Sequence, residues 1–154
     1  MERKTGSSDF ITRAYLDSLL LEVRHLDSVL PDTSMDLFGA HFDTPVMTAA
    51  LSHLHNTREN GMAEFARGAA MANAVCFSGM GPEKELEGMI DTGAKVVKII
   101  KTYKDRESIY RKIRHAEDYG ALAVGMDIDH AFSHAGYDCI EGMEMRPLST
   151  AELK

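Results

Sequence analysis

The densest chemistry in the sequence is the run Asp127-Ile128-Asp129-His130, followed by His134. Carboxylates and imidazoles this close together could pass protons or hold a metal ion. The spacing is no metal-ligand signature, so no metal is expected, and solvated loop side chains account for the run equally well. Two lysines come next. Lys98 and Lys101 are three apart, so on a strand they face opposite sides. Lys101, nearer the carboxyl end, is the better candidate to stabilise an anionic ligand or cofactor. Ser78 could donate to a carbonyl or phosphate oxygen, or cap the helix that follows. Gly79 and Gly81 lack the third glycine and acidic partner of a dinucleotide fingerprint. His53 and His55 alternate in a pattern that suits a loop as well as a site. Glu83, Lys84, Glu85 and Glu87 read as a solvated helix face.

These residues need a scaffold, and the apolar pattern supplies one. Between Asp9 and Val29 the residues Phe10, Ala14, Leu16, Leu20, Leu21, Val23 and Leu26 recur at roughly helical spacing, which predicts one or two amphipathic helices ending before Pro31. Short extended pieces, Met35 to Phe38 and His41 to Phe42, follow. Then an alternation begins. Pro45 to Ala50, Val75 to Ser78, Lys95 to Lys101 and Ala121 to Asp127 read as four short strands. Helices are expected over Glu59 to Asn73, from Pro82 to about Asp91, and from an Asp105 cap to about Tyr119. Residues 128–148 read as loop, with Met143 and Met145 filling gaps beneath it, and Ser149 to Glu152 as a helix start.

Apolar strands separated by helices argue for a parallel sheet buried on both faces, with right-handed crossovers. The expected fold class is α/β, either an open sheet or about four βα units of a (β/α)8 TIM barrel preceded by N-terminal helices. The expected organisation is a helical segment over residues 1–34 and the first half of a barrel over 35–154. In either architecture ligands gather at the carboxyl ends of the strands. Those ends carry Ala49, Ala50 and Leu51, then Ser78, then Lys101, then Asp127. Small residues there let a ligand ring lie against the backbone.

The whole composition is ordinary for a globular domain: 154 residues, 44% hydrophobic and 27% charged, with a net charge of −7. The acidic balance disfavours nucleic acid as a partner. No apolar run is long enough to span a membrane, and Glu2 to Gly6 lead into no signal-peptide core. Cys76 and Cys139 form no disulfide framework, which points to a reducing, cytoplasmic setting.

Two segments then carry a family resemblance. TSMDLFGAHFDTPVMTAAL resembles the approach to the first barrel strand of the FMN-dependent α-hydroxy-acid oxidoreductases, the glycolate and lactate oxidase type. KTYKDRESIYRKIRHAEDYGALAVGMDID is similar to their third helix and fourth strand. The resemblance runs from about Asp9 to the end of the sequence and implies an FMN enzyme that takes hydride from a 2-hydroxy acid. It implies flavin contact from the backbone of Ala49, Ala50 and Leu51 and from Ser78. Where the family carries a flavin-bonding glutamine and a substrate tyrosine, this chain has Ile99 and Lys101. Where it carries a threonine, this chain has Gly125, while its aspartate is kept as Asp127. The pattern looks more like a divergent branch with a lysine at the position of Lys101. The family's catalytic histidine falls beyond Lys154, and the loop residues Ala131, Phe132, Ser133 and His134 include no equivalent of its substrate-carboxylate arginine. Lys101 and Asp127 remain the catalytic candidates, and activity is expected only with a complementary half or through self-association. Two other readings stay open: a Schiff-base lyase using Lys101 or Lys98 with Asp127 or Asp129 as proton shuttle, and a non-catalytic flavin-binding module.

Overall fold

The computed structural model describes residues 7–23, 25–129 and 131–153. His130, and Glu2 to Gly6 with their bearing on a signal peptide, lie outside the described residues. The chain divides into two units, residues 1–32 and 33–154.

Among its described residues the first unit holds one helix, α1 (Ser8–Ser18), opened by the Ser7 hydroxyl, which accepts the Phe10 N–H at 3.3 Å. The helical periodicity continues to Val29 in sequence, yet the described residues beyond Leu19 are not helical. The cap residue Leu19 is already extended and Asp27 sits at φ 58°, outside helical backbone. No α1 side chain is buried, and spacing alone holds a helix of this length together weakly.

The second unit begins with a hairpin, β1 (Met35–Leu37) paired antiparallel with β2 (Ala40–Phe42). Its two-residue turn, Phe38-Gly39, has both φ values positive, the primed geometry that matches strand twist. There follow α2 (Gly61–Met71), β3 (Cys76–Ser78), α3 (Glu83–Ile90), β4 (Val96–Lys101), α4 (Arg106–Asp118) and β5 (Ala123–Asp127). Strands β3, β4 and β5 form one parallel sheet in that order. Asp105 caps α4 by accepting the Glu107 N–H, and Gly120, at φ 81°, lets the chain leave it. Two small hairpins complete the unit, β6 (Phe132–Ser133) with β7 (Gly136–Tyr137), and β8 (Cys139–Ile140) with β9 (Met143–Glu144). Ser149 to Glu152 forms a turn, not a helix.

The expected first strand, Pro45 to Ala50, is not a regular strand. It runs beside β3 in parallel sense: Thr48 N–H donates to Val75 O at 3.1 Å, the Thr48 hydroxyl accepts Phe77 N–H at 2.8 Å, and Leu51 bridges to Ser78. Pro45 has no N–H to give, and a threonine side chain takes over one rung, so the ladder is interrupted.

Alternation along the strands sorts the core into two layers. Cys76 and Val96 face the helices and pack with Ala66, Leu86, Met89 and Ala116. Val75 and Val97 face the other way and meet Phe42 of the hairpin, with Phe77, Ile99 and Ala123 around them. Burying each large side chain of these layers contributes roughly 1.5–3 kcal/mol. Met145 is fully buried against Ile100, Tyr103 and Ile109, with Met143 packed alongside, a firm anchor for the segment after β5.

Candidate active site at the strand tips

Register places the polar residues of the strand ends side by side. Leu51 lies beside Ser78, Ser78 beside Lys98, and Lys101 beside Asp127. Gly79 N–H donates to Leu51 O at 2.6 Å, and a Cβ at Gly79 would lie 2.9 Å from that same oxygen and 3.0 Å from Ala50 O. Glycine is therefore what allows the two tips to touch. Ala49, Ala50 and Leu51 are exposed at this rim.

The two lysines do face opposite layers. Lys98 is buried on the helix side, where its ammonium donates to Gly79 O at 2.6 Å and Gly81 O at 2.9 Å and lies 3.5 Å from the Ser78 hydroxyl. Burial, reinforced by Lys112, lowers its pKa to about 8. Lys98 thus fixes the β3–α3 loop from beneath. Ser78 shares this face and is wholly buried, its hydroxyl turned toward Lys98. Lys101 is on the opposite face with Ile99, and its ammonium bonds the Asp127 carboxylate. Hydrogen bonding with Asp129 and then with Lys101 holds the Asp127 carboxyl below the usual carboxylate range. A carboxylate so held is a poor proton acceptor near neutrality; it serves to orient the ammonium.

Ile99 and Gly125 are neighbours on this face, forming an apolar wall beside the Lys101–Asp127 pair. Asp129 and His134 are exposed beyond it, His134 at the β6–β7 turn. Sequence reasoning dismissed Glu85 as part of a solvated face. The structure half-buries it: one oxygen accepts the His53 N–H at 3.3 Å, and the other fills the space beside Gly81. The signal was Gly81, four residues earlier, where a side chain would collide with that carboxylate. Glu87 is likewise engaged, 3.0 Å from His115.

Among the described residues no helix is long and apolar enough to cross a membrane. No curated protein matches the chain. Among solved structures, it is similar to a mandelate oxidase mutant with (S)-mandelic acid, at 19% identity and TM-score 0.75 over 97% of this chain and 49% of that one. A mandelate oxidase with a difluorinated hydroxy acid gives 20% identity and TM-score 0.74, covering 97% of this chain and 49% of that one. A protein described as a lactate oxidase of Pediococcus acidilactici gives 18% and 0.70, covering 81% and 35%. The chain spans about half the length of the mandelate oxidase structures. Its fold is accordingly part of a TIM barrel, with the parallel strands and outer helices that barrel requires. The sequence matches the FMN-dependent dehydrogenase family over residues 5–151, and the chain belongs to that family.

Proposed function

We propose that the strand tips of this chain form one side of an FMN site that serves the oxidation of a 2-hydroxy acid. The observation that carries the reading is the Lys101–Asp127 pair, set at the carboxyl ends of adjacent parallel strands on the face opposite the helices. The residues present fit the group. Exposed, side-chain-poor Ala49 and Ala50 offer a flat backbone surface, and Ile99 with Gly125 an apolar wall. Lys101 offers a cation for a developing negative charge. Ser78 supports the rim from below through Lys98.

When bound, FMN supplies the hydride acceptor that no side chain can provide. Lys101 would hold the substrate carboxylate or the negative charge that builds on the ring, and Asp127 would keep its ammonium aimed. Neither is suited to accept the hydroxyl proton, Lys101 as a cation and Asp127 as a carboxylate held low. On this reading the acceptor comes from a further part of the barrel, supplied by a second copy or a complementary half. The outer edge of β5 supports this, with Val124 exposed beside an apolar groove of about 420 Å³ lined by Ile109, Ile113 and Met126. A cytoplasmic setting fits the same picture.

Titration of the FMN-loaded chain with (S)-mandelate and with lactate, read as a shift of the visible flavin band, tests the proposal without requiring the proton acceptor. A saturable shift with one of them supports it. No shift with either goes against it. The Schiff-base reading has the lowered Lys98 pKa in its favour. That amine, however, is enclosed and committed to two carbonyl oxygens, so a carbonyl substrate has no approach to it.

A further inference from the structure

We propose that His53, His55 and Glu85 bind a divalent transition-metal cation of the zinc class, beside the loops that follow the first two strand tips. Each residue offers one ligand atom, and the three atoms lie within 4.8 Å of one another. Two imidazoles and one carboxylate form a borderline donor set that suits Zn2+, Co2+ or Ni2+ better than Ca2+ or Mg2+, which prefer oxygen alone. Ligands about 2.1 Å from a metal stand at most about 4.2 Å apart. The set must therefore contract slightly, and His55, exposed at the single helical turn Leu54–Asn56, is free to do so.

An independent observation points to a ligand. Glu85 Oε1 is buried and has no hydrogen-bond partner among the described residues. A buried carboxylate oxygen left without a donor is costly. The nearby Lys98 ammonium does not supply one, because its protons go to Gly79 O, Gly81 O and the Ser78 hydroxyl. A cation would satisfy that oxygen. The surroundings also leave room for the carboxylate. A Cβ at Gly81 would stand 1.7 Å from Glu85 Oε1, so glycine leaves the room it occupies.

His53 is held on two sides. Its backbone sits at φ 59°, an unusual conformation for a non-glycine residue, and its N–H donates to the second Glu85 oxygen. Its ring nitrogen Nε2 is 3.2 Å from Glu141, the kind of outer carboxylate that orients a metal-bound imidazole. A bound ion would tie the loop that follows Ala49–Leu51 to the first turn of α3.

The test is a titration of the full chain with CoCl2, followed by visible absorption of the bound ion, with ZnCl2 as competitor. The expected result is a saturable one-to-one signal that Zn2+ abolishes. Affinity should fall at least tenfold in His55→Ala and in Glu85→Gln, and by a smaller factor in Glu141→Gln. Circular dichroism checks that the variants are folded. If Glu85→Gln is not, the exposed His55→Ala decides. No cobalt signal in the unaltered chain overturns the proposal. So does a signal of equal affinity in His55→Ala, which marks adventitious binding elsewhere.

Discussion

The terminal methyl of Ile99 on β4 occupies the space that a Cβ on Gly125 of β5 would need, with only 2.8 Å between them. The family resemblance would put a glutamine and a threonine at these two positions, where this chain has one bulky side chain and none. Gly125→Ala should cost about 0.5–1.5 kcal/mol, the amount needed to push the end of the Ile99 side chain off its rotamer. Ile99→Val removes the offending methyl, so adding it to Gly125→Ala should recover at least about 0.5 kcal/mol relative to additivity. Urea unfolding of the two single variants and the double variant measures this. Strict additivity would mean the two residues do not compete for the same space.

Asp127 should make the fold acid-sensitive. Its carboxyl is held low in the folded chain, by Asp129 first and Lys101 second. The stabilisation is therefore present above the ordinary carboxylate pKa and lost as pH falls through the lowered one. Asp127→Asn should destabilise by roughly 1–2 kcal/mol at pH 7, between the values for exposed and buried pairs. The gap between this variant and the unaltered chain should close on acidification. Urea midpoints at pH 7 and near pH 3 read it; a gap that stays constant with pH contradicts the assignment.

Lys98 should act at the other end of the pH scale. Its folded pKa, about 8, lies below that of an unfolded lysine, so between these values the unfolded chain binds more protons and the lysine's contribution rises with pH. The shift corresponds to roughly 3 kcal/mol. Burial raises the pKa of Cys76 and Tyr103, which works in the opposite sense from about pH 9 upward. The clean quantity is therefore the difference from Lys98→Met. The unaltered chain should gain on this variant between pH 7.5 and pH 9.5. A difference that is flat or falls would show that Lys98 titrates normally.

Much of the scaffold was legible in the sequence because it rests on local signals. The β-branched run Val96 to Ile100, the Asp105 cap and Gly120 each mark an element that formed where expected. The helical periodicity past Ser18 misled, because spacing alone does not bury a face. At the tips, the opposite facing of Lys98 and Lys101 followed from strand geometry. What Lys98 bonds did not, since Gly79 O and Gly81 O reach it only through the fold of a loop. Glu85 was missed for a similar reason: its surroundings come from Gly81 and from His53, more than 30 residues away.

The meeting of the first two tips depends on one glycine. Gly79→Ala would set a Cβ against Leu51 O and Ala50 O, backbone atoms that have little room to yield. It should weaken FMN binding at least tenfold with less than about 2 kcal/mol lost in stability, because the change is confined to the rim. Binding unchanged in a folded Gly79→Ala chain would place the ring elsewhere.

Direct titration of FMN with the purified chain, read by quenching of flavin fluorescence at rising protein concentration, tests the central claim. The account predicts saturable quenching that Lys101→Met weakens and Lys84→Met, at an exposed position on α3, leaves in place. An absence of quenching at protein concentrations where the chain is associated would contradict it, as would quenching indifferent to Lys101.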